Sequence, residues 1–418
     1  MKKELIIGII VGLIVIVLGF FVFSPNSLFK TSDDSSESTG FQENVEEEIP
    51  EEIIEEDIEE EPIEDDPTLN FDPDWGDCED KDVKFTFSPI DPKVIRVIEP
   101  MGRMAESHPF PTSHMYISDD KGWDPDPSRT TYDVVAPADG LIVNIGTFPN
   151  SVNDYFISIW YSCSLTSFFI HLADLSPEIL AVTGDLQSGS QWEALNKNAI
   201  FVKAGQRIAR SKGTFDFGVL DNKVVLTGLI RGGVQIHTAD PFDYFIEPVR
   251  SQMLEKNPRT VEPLGGKINY DIDGRLVGNW FEDASGVGVF DVDFSKGRLA
   301  ISYDFINPTR VLISFGAEDE IGITYDDCRG CGWVYGVTGN KPDPADVSVD
   351  SGQVKYELMG SEPVTDSRGF RVGVNTDQVL GVFLVQMLDD RTIKGEVFPK
   401  KTASQVTGFT NEAKIYRR

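Results

Sequence analysis

Beyond about residue 83, apolar and polar residues alternate in short runs bounded by Gly, Asp, Asn and Pro. Leu141–Ile145, Tyr155–Tyr161, Leu312–Phe315 and Val382–Gln386 are examples. A period of two sends successive side chains to opposite faces of a pleated strand, so the pattern predicts half-buried strands and a mainly β fold. One stretch departs from it. In Pro241–Leu254, Phe242, Tyr244, Phe245, Val249 and Met253 can share a single face of a short helix. No repeat recurs at the spacing of a solenoid or propeller. The folded part, about 335 residues, is larger than a single core usually grows, which predicts two domains. A segment rich in Glu, Pro and Gly, Glu255–Gly266, marks the join. The expected units are therefore a β-sheet domain over 83–256 and a second antiparallel domain, barrel or sandwich, over 265–418.

The N-terminal pattern is different. Lys2 and Lys3 precede 19 uninterrupted apolar or Gly residues, Leu5–Phe23, close to the ~20 that cross a bilayer as a helix. The run ends in Phe-Phe-Val-Phe-Ser-Pro rather than a small-residue cleavage site, so residues 1–24 are expected to be a cytoplasmic stub and a retained single-pass span. Lysines before the span and acidic residues after it place the N-terminus in the cytoplasm and the rest outside the membrane. A cleaved signal releasing a soluble protein is the other reading.

Charge then changes the picture of residues 25–82. Between Asp33 and Asp80 there are 23 Asp and Glu and no Lys or Arg, which leaves −9 of the formal −32 for the rest of the chain. Dense like charge, broken by Pro50 and Pro62, self-repels and offers too little apolar surface to fold, so this segment is expected to be a disordered acidic linker. Four cysteines suit an oxidising exterior. Cys328-Arg-Gly-Cys331 can form a small-loop disulfide, a redox pair or half of a zinc site, and Cys78 can bridge to Cys163. The chain has no serine-hydrolase elbow, phosphate loop, dinucleotide fingerprint or basic patch, so nucleic-acid binding is excluded from the expectations.

Three stretches carry a resemblance: Asp133-Val-Val-Ala-Pro-Ala-Asp-Gly140 followed by Leu-Ile-Val, Phe169-Ile-His-Leu172, and Val202-Lys-Ala-Gly-Gln-Arg-Ile208. With them, residues Ser113–Leu220 resemble the strand-turn-strand core of lysostaphin- and LytM-type (M23) zinc peptidases. In that family the metal is held by a His, by an Asp four residues later, and by the second His of a His-x-His on a later strand. Aligned on those motifs, His114 keeps the first position, Ser118 replaces the Asp, and Thr214-Phe-Asp216 replaces the His-x-His. His171 keeps the place of a further catalytic His. Asp119 is one residue late for the Asp position and would point to the opposite face of a regular strand. Pro137 and Gly140 set a hairpin, and Gly205 a tight turn, as structural features.

A catalytic zinc needs three protein ligands and an open position for water, and His114 with Asp216 supplies only two. The resemblance therefore implies a peptidase-like fold without a complete metal site. Its expected role is that of a membrane-anchored extracytoplasmic binding or regulatory protein without a cofactor. The expected partners are the membrane, through residues 5–23, and a cell-envelope polymer or another surface protein. The alternative is a zinc-dependent M23-type peptidase acting on envelope peptide or peptidoglycan, with ligands reassembled from His108, His114, Asp216 and His171. A third reading is a structural spacer of the envelope. For each lone His, His237 above all, a hydrogen-bonded structural role competes with a functional one. Trp123, Trp160, Tyr161, Phe168 and Phe169 can stack on a sugar or peptide or pack a core. In the second domain, Gly278-Asn-Trp280 opens some nine or ten expected short strands and is similar to the Gly-x-Trp element of lipocalin-like barrels, on too few residues to assign a ligand.

Overall fold

The computed structural model describes residues 80–418 except 106–107, 123–129, 152, 194–199, 230–232, 283–295, 317–320, 325–326, 328–332 and 339–341. The expected span 5–23, nearly all of the acidic linker, Trp123, Cys78, Cys328 and Cys331 lie outside the described residues. Among the described residues no helix is long and apolar enough to cross a membrane. Cys163 is disulfide-bonded.

The fold is mainly β, with a sheet followed by a separate barrel. The sheet has the order β1 (Ile95–Glu99), β2 (Met115–Asp119), β9 (Arg207–Asp221), β6 (Leu165–Ala173), β5 (Tyr155–Trp160), β4 (Gly140–Thr147) and β7 (Gln191–Glu193), while β3 (Asp133–Val135) and β10 (Thr238–Ala239) join β9 and β8 (Ile200–Val202) joins β4. β9 is the organising strand. Its 15 residues pair with β2, β3, β6 and β10, and its alternation sends Phe215, Phe217 and Val219 into a core with Met115, Ile117 and Phe169. The opposite face carries Thr214, Asp216 and Gly218.

Two local expectations are corrected. Pro137 and Gly140 do not set a hairpin: β3 pairs with β9 and β4 with β5, so residues 136–139 form a crossing turn. That turn is held by the next one along, through Ala136 N–H to Gln206 O (2.9 Å), Gly205 N–H to Ala136 O (2.8 Å) and Ala204 N–H to the Asp139 carboxylate (2.8 Å). Gly205 has φ +79°, and a Cβ there would meet the Phe87 ring at 2.9 Å, so the turn requires glycine. The expected helix 241–254 is broken. Asp240 caps a single 3₁₀ turn at Pro241–Asp243, and helical structure resumes only as α2 (Val249–Leu254), after α1 (Pro177–Thr183) earlier in the chain. Pro248 explains the break, because it has no N–H to donate and its ring clashes with the preceding turn of a helix.

Among the described residues the second unit is a closed barrel of eight strands, β11 (Gly278–Glu282), β12 (Arg298–Tyr303), β13 (Val311–Phe315), β14 (Val334–Val337), β15 (Gln353–Thr365), β16 (Arg371–Met387), β17 (Thr392–Pro399) and β18 (Lys414–Arg417). Trp280, Leu299, Ile301, Ile313, Phe315, Tyr335, Tyr356 and Phe383 fill its interior, as small barrels require. The lipocalin-like expectation gains no support.

The join is a packed element. Arg259 is 4% exposed and donates to Val261 O, Pro263 O and Phe305 O at 2.7–2.8 Å. Arg368, at the tip of the β15–β16 hairpin, reaches back to Asn257 O and Pro258 O. Guanidinium groups bonded to backbone carbonyls thus tie the barrel unit to the joining segment.

Candidate functional site

Strand register assembles the site. In the β2–β9 ladder Tyr116 lies opposite Asp216 and Ser118 opposite Thr214, and on the other side of β9 Ile170 lies opposite Asp216 and Phe168 opposite Gly218. Since β9 residues 214, 216 and 218 share one face, the period of two brings Ser118, Thr214, Tyr116, Asp216 and Phe168 onto a common surface. His114, just before β2, joins them, with Nε2 3.4 Å from Asp216 Oδ2. His171 would point away in a regular strand. It sits instead at a bulge, where pairing jumps from Ile170–Asp216 to Leu172–Ser211, and has φ +67°. The bulge turns the ring toward Phe148 (5.6 Å between centroids), with Nδ1 at 3.2 and 3.3 Å from the two Asp154 oxygens.

The aligned positions that depart from the resemblance contact each other. Ser118 Oγ and Thr214 Oγ1 are 2.9 Å apart, a hydroxyl pair where the family places a carboxylate and an imidazole. His108 comes from the segment before β2, and its ring lies 5.7 Å from that of His114. Of the alternative ligand set, His108 thus lies beside His114 and His114 beside Asp216, while His171 bonds Asp154. Among the described residues, however, no three His, Cys, Asp or Glu side chains are placed to hold one metal ion. Asp119 does another job. Its carboxylate accepts Lys121 N–H (2.9 Å), Gly122 N–H (3.2 Å), Ser211 Oγ–H (3.2 Å) and the Thr131 hydroxyl, joining residues 121–122 and Thr131 to β9. His237 is structural too, with Nδ1 2.8 Å from Val224 O.

Burial controls the charge of the cluster. It pushes the His114 imidazole well below its ordinary range and His108 to about 3, with neighbouring cationic groups adding to the effect. It raises Asp216 to about 7 against the opposing pull of His171 and Arg103. At neutral pH the His114–Asp216 contact is therefore not an ion pair of full charges, which accords with the 1% and 3% exposure of the two residues. At His171 burial acts downward, but the Asp154 hydrogen bond and the charges of Asp216 and Asp154 outweigh it, so its pKa is raised. Lys212, with Nζ 3.9 Å from Asp154, is lowered by burial.

Sequence reading missed Asp154, Lys212, Arg103 and Tyr116. Asp154 just precedes β5 and Lys212 lies within β9; neither carries a motif. Of the aromatic candidates, Tyr161 and Phe169 are core residues. The Phe168 ring occupies the space beside Gly218, where an added Cβ would overlap it. Gly218→Ala should cost about 1–3 kcal/mol by overpacking, and adding Phe168→Ala should recover part of that loss in urea unfolding. Strictly additive losses would show that the ring does not depend on the glycine.

Neither a family model nor a curated protein sequence matches the chain. Solved structures similar to it include a zinc-containing peptidase from Vibrio cholerae, at 15% identity over 34% of this chain and 38% of that one, with a TM-score of 0.22. A second is a chain of the SpoIIQ–SpoIIIAH pore-forming complex, at 13% identity over 41% of this chain and 96% of that one, with a TM-score of 0.24. Csd3 of Helicobacter pylori is a third, at 17% identity over 39% and 40%, with a TM-score of 0.19. The chain spans less than two thirds of the Vibrio peptidase, and likeness of this order fixes no function.

Proposed function

We propose that this chain is a membrane-anchored extracytoplasmic binding or regulatory protein, built on an M23 peptidase-like fold whose zinc site is incomplete. The observation that carries this reading is the Ser118–Thr214 hydroxyl pair at 2.9 Å. Two neutral hydroxyls that satisfy each other replace a metal-binding carboxylate and an imidazole able to move a proton near neutral pH. The residues aligned with the family's ligands thus do not fit zinc in the family's manner. What remains is a sheet face of mixed aromatic and polar character, suited to a cell-envelope polymer or the surface of another protein. The acidic linker would hold that face away from the bilayer.

One observation favours a second reading, the zinc peptidase with a rearranged ligand set. His108, the residue that set adds, lies beside His114, with ring centroids 5.7 Å apart. Elemental mass spectrometry of the full chain, purified in detergent and dialysed, separates the two. A folded protein with far less than one zinc per chain supports the binding reading. About one zinc per chain, lost in His114→Ala, would overturn it in favour of the peptidase.

A further inference from the structure

The face that carries His114, Asp216 and Ser118 is covered: these residues are 1%, 3% and 5% exposed. Part of the cover comes from two chain arms, residues 102–105 and 108–112, just ahead of β2. Gly102 N–H to Thr112 O (2.8 Å) and Thr112 N–H to Arg103 O (3.1 Å) close their base, and mutual bonds between Ala105 and His108 (3.0 and 2.8 Å) close their far end. On the inner side Arg103 lies over the Tyr116 ring at 5.0 Å, and His108 meets His114 edge-on. On the outer side Met104 and Phe110 pack against Ala300, Leu312 and Val334. These three belong to β12–β14 of the barrel but stand apart from its interior cluster, as strand alternation requires of an outer wall. Phe110 also meets the Phe281 ring edge-on at 5.2 Å and the Arg298 guanidinium at 5.5 Å.

The geometry points to the C-terminal barrel as the lock of an autoinhibited groove. The arms occupy the face that a ligand would need, and they leave it only when Met104 and Phe110 leave the barrel wall. This rests on the binding reading for what an open groove would admit. The lock itself follows from the contacts. Two features make it a reversible device. The latch is small: Met104 and Phe110 on the barrel wall, with the Phe281 ring and the Arg298 guanidinium against Phe110. The barrel is held in place independently, by Arg259 and Arg368 at the join, so the arms can lift while the two units stay together.

Carbethoxylation of the full chain by diethyl pyrocarbonate at pH 7, read at each histidine by peptide mass spectrometry, tests the lock. His108 and His114 are neutral there, so a slow reaction reports their cover rather than their charge. His237, outside the cluster, is the internal reference. In the native chain both should react far more slowly than His237. Phe110→Ala should speed both by about tenfold or more, as loss of a packed aromatic weakens the latch, with His237 unchanged and Phe110→Leu close to native. If Phe110→Ala also accelerates His237, the chain has unfolded, and the same ratio in Met104→Ala decides the matter. Equal rates at all three histidines in the native chain, or native-like protection in the folded variants, would overturn the lock. The rates are read on chain stripped of metal with a chelator, so zinc uptake in the preceding experiment would sink the binding reading without bearing on them.

Discussion

Asp216→Asn is expected to raise stability at pH 8 by on the order of 4 kcal/mol while leaving it nearly unchanged below pH 4. The Asp216 carboxyl is pushed up to about 7 from an ordinary 3.8, chiefly by burial. Below pH 4 folded and unfolded chains both hold the proton, and the site imposes no penalty. Between 4 and 7 the unfolded chain releases it while the folded chain retains it, so stability falls as pH rises. Above 7 the loss is complete and constant, about three pH units at ~1.4 kcal/mol each. Asn keeps the shape and an oxygen facing His114 but never ionises. Urea unfolding of both proteins from pH 4 to 8 should show the gap opening across that window and then levelling. A gap that is the same at pH 4 and pH 8 would mean that Asp216 ionises freely in the folded state, and with it the picture of a sealed, neutral cluster would fail.

The histidines supply an opposite limb. His108 is pushed down to about 3 from 6.5 and His114 falls in the same direction. Their stabilising share is present above pH 6.5 and is lost as pH falls toward their folded values, because the unfolded chain gains protons that the folded chain refuses. The acid limb should therefore persist in Asp216→Asn. Two limbs of opposite sign, separable by one substitution, distinguish a buried cluster from an exposed groove, in which neither would be large.

Much of the fold was legible because strand alternation is a local signal. Leu141–Ile145, Tyr155–Trp160, Leu312–Phe315 and Val382–Gln386 all lie in strands. The grouping of His114, Asp216 and His171 was legible only through motif resemblance. The physical cause of the grouping is long-range register, Tyr116 opposite Asp216 and Ile170 opposite Asp216, which no window of sequence contains. Where a tertiary choice overrode a local one, sequence reading failed. The 136–140 turn looked like a hairpin, but each flanking strand found a different partner. Asp119 was a candidate by proximity in sequence, and its four hydrogen bonds show a loop pin instead. The His171 bulge and the cover from residues 102–105 and 108–112 left no pattern, since both depend on what packs above the sheet.

The barrel offers the sharpest test of packing, because its fully buried indole, Trp280, is fixed from several directions. Trp280 is fully buried and donates from Nε1 to Leu276 O at 2.9 Å, while the Arg418 guanidinium stacks 4.1 Å from its ring centroid. Arg418 is itself 4% exposed and donates to Val277 O (2.7 Å), Ile272 O and Arg275 O. Gly278 belongs to the same arrangement: its φ is +131°, and a Cβ there would run into the Asp271 carboxylate and the Arg418 guanidinium. The Gly-x-Trp spacing is thus explained by packing, the glycine making room for the cation that covers the indole. Trp280→Ala leaves a cavity in a small core and strands the Arg418 charge, so the expected loss is about 3–5 kcal/mol or more, a large share of the ~5–15 kcal/mol typical of a domain. Trp280→Phe should cost less. The coupling between Trp280→Phe and Arg418→Ala in a double-mutant cycle should be about 0.5–2 kcal/mol if the stacked cation contributes directly. Urea unfolding followed by barrel-specific hydrogen exchange reads both quantities. A Trp280→Ala variant within 1 kcal/mol of the native chain, as on a surface site, would mean that the barrel interior is not packed around this residue.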